Sequence, residues 1–334
     1  MRRRGWIRSA LVGVTAVTLL TACSGQPDNS SNATREPAAP AVAPTAAGTP
    51  AGEVSASAPI SLLLDEPTTG VLAAVVDSGT TLHLIDKGVT RSVALPGKAA
   101  ALVAGKPGEV LIAVPGKIVR VDVASGALTT VSVEGDLHSV AVNADGSLVA
   151  GLADGRVLLL DADGAVRHTI TGLSAADAID ARDGSVVVLD RRQSAIVQLD
   201  GTAKLGLALR AGDGAAMMIG DHFGRRLVTD TDGAELLVYT ADPLVLHQRF
   251  PVGSSPYALA YDQRSETVWV TLTGSNEVVG YELSTGIPVE VGRYPTVRQP
   301  NSATVDARTG DLFVGSATGD GLQRIGADQR KRGQ

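Results

Sequence analysis

Few residues of this chain have types suited to chemistry: it holds five histidines, one cysteine and two tryptophans among 334 residues. Four polar residues share a placement. His138, Asp177, Tyr257 and Asn301 each stand just ahead of a short run of alternating apolar residues, and the runs recur about every 40 residues. An imidazole, a carboxylate, a phenol and a carboxamide drawn together would make a small polar pocket able to bind a metal, a sugar or a peptide end. The same residue types also stabilise strand starts and tight turns, so the placement allows a purely structural role as well. Further polar residues fall in a second set of turns: Asp77, Asp154, Asp190, Arg191, Arg192, Asp230, Asp232, Asn276 and Asp320. Only an architecture that folds distant repeats around one point can bring these groups together.

Other chemistries lack their residues. No Gly-rich phosphate loop lies between a strand and a helix, and neither HExxH nor Gly-x-Ser-x-Gly occurs. His83, His168 and His247 lie within strands and show no metal-ligand spacing, while His222 beside Asp221 falls in a turn expected on the opposite face. Aromatic residues make up 3% of the chain, which leaves little for the stacking platforms that quinone- or sugar-binding sites use. No catalytic residue, metal or cofactor is assigned on these grounds.

The positioning elements repeat. Thr69-Gly70, Pro107-Gly108, Asp145-Gly146, Asp183-Gly184, Phe223-Gly224, Ser265-Glu266 and Thr309-Gly310 mark one turn in seven copies. Asp86, Asp122, Asp161, Asp200, Tyr239, Glu282 and Ile325 mark the end of a later strand, and the two series advance together. Seven copies of a three- or four-strand unit at this period indicate an all-β, seven-bladed β-propeller over residues 53–327. The last copy lacks an outer strand before the polar tail at 328–334. An open edge invites aggregation, so a segment near Glu53–Ala58 is expected to supply that strand and latch the ring. In propellers, the links entering each first strand and the turns between second and third strands share one face around the channel. That analogy would gather His138, Asp177, Tyr257 and Asn301 at the channel mouth.

The N-terminal part reads differently. Arg2, Arg3, Arg4 and Arg8 precede an apolar run ending at Leu20, too short for a spanning helix and suited to an export signal. Leu20-Thr21-Ala22-Cys23 then resembles the lipobox of bacterial lipoproteins. The resemblance implies a signal peptide over 1–22, cleavage before Cys23, and acyl chains (diacylglycerol, with palmitate a common constituent) on that cysteine. Residues 23–52 are rich in Ala, Pro, Ser and Thr and are expected to form a disordered tether, long enough to hold the domain some 30 Å from a membrane. Loss of the signal removes four arginines and no acid, shifting the formal charge from −6 to −10, which argues against nucleic acid as a partner.

Trp269-Val270-Thr271-Leu272, Ser275-Asn276-Glu277-Val278-Val279 and Ser284-Thr285-Gly286 resemble the YVTN-type propeller repeat, with Trp for the leading Tyr and Leu272 for the Asn. The whole chain is similar to propeller lipoproteins of actinobacterial cell envelopes. That likeness implies a lipid-anchored module on the extracytoplasmic side of the cell membrane, binding an envelope protein or a small ligand. The alternative is a propeller hydrolase of lactonase type, with a polar or metal site at the channel mouth.

Overall fold

The computed structural model describes residues 34–45, 48–182 and 184–330. The signal segment and Cys23 lie outside them, as do Lys331 and Arg332 of the polar tail. Seven four-stranded antiparallel sheets follow one another. Blades 1 to 6 span residues 62–94, 101–132, 137–170, 178–210, 215–251 and 256–295. Blade 7 takes its first three strands from Pro300–Val305, Leu312–Ser316 and Leu322–Ile325. Its fourth comes from the other end of the domain: Glu53–Ser55 pairs antiparallel with Leu322–Ile325. The first strand of each blade touches the first strands of its two neighbours, and blade 1 touches blade 7, so the ring is closed.

Burial follows strand position. Second strands such as Leu72–Val76 and Thr267–Leu272 are buried along their whole length, because sheets pack against both of their faces. That explains their runs of Val, Leu and Ala with no polar alternation. Fourth strands such as Val89–Ala94 are mostly exposed and carry Thr, Arg and Ser. The recurring turn glycines have a backbone reason. Gly70, Gly108, Gly146, Gly224 and Gly310 all have φ between 70° and 86°, where a Cβ is costly; in blade 6 Glu266 takes the position at φ 57°. Asp122 and Asp200, at the ends of third strands, spend their carboxylates on local groups. Asp122 accepts from the Ser125 N–H and hydroxyl, and Asp200 from the N–H groups of Thr202 and Lys204.

The latch has little apolar content, since Glu53, Val54 and Ser55 are all exposed. Gln323 supplies the order instead. Its side chain is fully buried: Nε2 donates to the carbonyls of Ala51 and Pro295, and Oε1 accepts from Val297 N–H at 3.0 Å. Ile60, also fully buried, packs with Leu72, Ala74, Val76 and Leu322 and so ties blade 1 to blade 7. Gln323→Ala should cost about 2–3 kcal/mol in urea unfolding, because it strands the buried Val297 N–H and the Ala51 carbonyl. Backbone amides of Glu53–Ser55 should exchange faster in that variant while those of blades 2 to 5 stay protected.

Asp65, at the end of the first strand of blade 1, is buried against blade 7, where its Oδ2 accepts from Ala307 N–H at 3.2 Å. Burial, with repulsion from Asp306 added, pushes its carboxyl up to about 7. The folded state therefore holds this proton more tightly than the unfolded chain. The contribution is complete below the ordinary carboxylate range of about 4 and is lost as pH rises through about 7. The thermal midpoint should fall between pH 5 and pH 8 in the native chain. In Asp65→Asn that part of the decline should vanish.

Candidate functional site

Of the four residues expected at the channel mouth, two meet directly. His138, in the first strand of blade 3, and Asp177, just before that of blade 4, are joined by a 3.0 Å contact from Nδ1 to Oδ1. The hydrogen bond to Asp177 is the main cause that holds the His138 imidazole above the usual histidine range, against partial burial and the nearby Arg192. The second carboxylate oxygen of Asp177 accepts from the backbone N–H of Arg191 at 2.9 Å. Asp177 thus faces both ways, gripping an imidazole and fixing the turn between the second and third strands of blade 4.

Tyr257 and Asn301 belong to blades 6 and 7. Among the described residues no hydrogen bond joins either to His138 or Asp177. The Tyr257 carbonyl accepts from the Thr229 hydroxyl, and Asn301 Oδ1 accepts from Gln299 Nε2 at 3.0 Å. The expected cluster is therefore not one hydrogen-bonded group: His138 and Asp177 pair between blades 3 and 4, while Tyr257 and Asn301 lie in the first strands of blades 6 and 7.

A length of the chain itself spans the two groups. Residues 34–45, which composition marks as part of a disordered tether, lie against these loops without regular secondary structure. Arg35 opens the contact: its N–H donates to the Arg192 carbonyl and its guanidinium to the Asp213 carbonyl. Arg191 Nη2 donates to the Ala38 carbonyl at 2.6 Å. Ala41 N–H donates to the Ser255 hydroxyl, and its carbonyl accepts from Gln299 Nε2, each at 2.9 Å. Gln299 Oε1 accepts from Ala43 N–H, and Asn276 Nδ2 donates to the Pro44 carbonyl, again at 2.9 Å. The methyls of Ala38 and Ala43 are buried, whereas Val42, between them in the chain, is 84% exposed. Gly214 makes room for the first methyl, since a Cβ there would stand 2.8 Å from that of Ala38.

The tether reading fails over 34–45 for a physical reason. The segment carries no core of its own, but the loops offer it a row of donors and acceptors matched to its backbone. These hydrogen bonds, with the burial of the Ala38 and Ala43 methyls, work against the ordering entropy of the segment. Pro37, Pro40 and Pro44 tilt the balance by stiffening the free segment.

Sequence reasoning singled out Arg191 and Asn276 in this face but missed Ser255 and Gln299. Ser255, Asn276 and Gln299 all adopt positive φ near 54°, each one residue before a strand, and this aims them over the mouth. No residue type announces that conformation. Two of the turn acids are structural: Asp230 accepts from the N–H groups of Asp213, Gly214 and Gly233, and Asp190 from those of Ser174 and Gln193. On the opposite face His222 pairs with the Tyr261 hydroxyl, while Asp221 binds Arg225 and local N–H groups. Among the described residues no three His, Cys, Asp or Glu side chains gather as a metal centre would need.

The fold and the loop face together define a seven-bladed β-propeller. No protein-family model matches the chain, and no curated protein sequence matches it either. Solved structures do. A catalytically inactive virginiamycin B lyase from Staphylococcus aureus, with quinupristin, is 14% identical at a TM-score of 0.68, covering 83% of this chain and 98% of that one. The β-propeller domain of Cps50 (Swd1) from Myceliophteria thermophila is 14% identical at 0.69, covering 81% and 97%. U3-55K is 12% identical at 0.69, covering 83% and 100%. At these identities the likeness is one of fold.

If Asp177 is what holds the imidazole proton, Asp177→Asn should bring the His138 titration midpoint down toward about 6.5. Histidine resonances followed by NMR between pH 5 and 9 would show it, and an unmoved midpoint would reject the pairing.

Proposed function

We propose that this chain is a lipid-anchored, extracytoplasmic β-propeller that serves as a binding or scaffold module in the cell envelope. One observation carries the binding role: side chains from four separate loops, Arg191, Ser255, Asn276 and Gln299, converge on the backbone of a single peptide segment. A face so arranged is suited to holding another chain. The anchor rests on Leu20-Thr21-Ala22-Cys23, and the YVTN-type kinship on the motif in blade 6. The fold itself is shared with a lyase and with the propeller domain of Cps50 (Swd1), and so does not choose between roles.

The lactonase-type reading gains the His138–Asp177 pair. The pair suits a proton carrier, but both Asp177 oxygens already have partners, and Tyr257 and Asn301 stand apart from it.

Photo-crosslinkers placed singly at Val42 and Tyr257, and at Phe223 on the opposite face, test the role in cells. A partner captured from the first two sites and not the third is expected. Equal capture from both faces, or none, would reject it. Labelled palmitate should enter the native chain and not Cys23→Ser. Purified protein should leave a panel of lactones intact; turnover lost in His138→Ala would favour the hydrolase.

A further inference from the structure

We infer that the loop face is a reader of extended Ala/Pro-rich polypeptide, occupied in cis by residues 35–44 and able to take an equivalent segment of a partner when that strap leaves. The inference deepens the binding role proposed above and rests on it for its cellular meaning; the identity of the occupant rests on geometry alone.

Three features define the ligand. Apart from the Arg35 guanidinium on the Asp213 carbonyl, the contacts are made to its backbone, at Arg35, Ala38, Ala41, Ala43 and Pro44, so the segment must be extended with its N–H and C=O groups free. Gln299 sets the register. Its one carboxamide accepts from Ala43 N–H and donates to the Ala41 carbonyl, so it measures two residues of backbone. Size is read at two places, because Ala38 and Ala43 are buried while Val42 is free. A segment with small residues five apart, a proline between them and a proline just outside each meets all three conditions, and its stiffness lowers the ordering cost of binding.

The face is also built in advance of its ligand. Asn276 Oδ1 accepts from Gln299 N–H at 3.0 Å, Asn301 Oδ1 holds Gln299 Nε2, and Asp177 fixes the backbone of Arg191. His138 and Asn301, read from sequence as ligand contacts, act here as positioning residues behind the groups that touch the strap. A segment joined to the ring is present at millimolar effective concentration, so it blocks weak competitors and yields to tighter or more abundant ones.

The test uses the full chain and a fluorescent peptide of residues 35–44. Ala43→Leu should unseat the strap, raising hydrogen exchange at the Ala41 amide at least ten-fold with blade amides unchanged. Val42→Lys should not. The peptide should bind the Ala43→Leu chain at least ten-fold more tightly than the native chain, and adding Gln299→Ala should remove that gain. A peptide with leucine at both buried alanines should bind neither chain, a comparison made by altering the ligand alone. Unaltered exchange in Ala43→Leu, or peptide binding indifferent to Gln299→Ala, would overturn the inference. A mouth-bound envelope partner that the peptide does not displace would overturn it and leave the binding role standing. Peptide binding with no partner captured in cells would do the reverse.

Discussion

Ring closure is the constraint on which the remainder depends. A sheet of three strands ending at Leu322–Ile325 would leave a row of backbone groups unpaired, and every mouth contact requires neighbouring blades at fixed spacing. The chain meets this with three exposed residues, Glu53–Ser55, whose own side chains add little burial. The exposed Glu53–Arg324 ion pair beside them is of the kind worth least. Order comes from behind, through the buried Gln323 amide and the Ile60 contact. A weakly apolar latch is thus made specific by one polar side chain with every hydrogen-bonding atom in use.

Much of the architecture could be read from the chain, and particular residues show why. The turn glycines recur because the backbone there has positive φ, a demand that selects residue type and so leaves a mark. The latch near Glu53 was legible because an incomplete last blade has few sources for its missing strand. The His138–Asp177 contact was legible because equivalent positions in adjacent repeats become neighbours once the ring is formed. Gathering all four residues was not, since blade 5 separates one pair from the other. Least legible was the strap. Its composition describes only what the segment can do alone, whereas its position depends on Ser255 and Gln299, which are 214 and 256 residues away from Ala41 and Ala43.

Acidic residues on the mouth face show how little of a surface's chemistry need be functional. Asp190 and Asp230 look like ligands in sequence, yet each is almost fully buried and saturated by backbone N–H groups. The uncharged amides Asn276 and Gln299 bond the strap instead, together with Arg191 and Ser255. An amide both donates and accepts, so one side chain can follow a peptide through N–H and C=O together, which a carboxylate cannot.

The order of attachments along the first twenty described residues has a mechanical meaning. Tension pulling on the chain ahead of Thr34 would reach Arg35 first, then Ala38, Ala41, Ala43 and Pro44, and only afterwards the strand at Glu53. These bonds would open in succession, like teeth of a zip. Each would dissipate some work and lengthen the chain before any load fell on the seam of the ring.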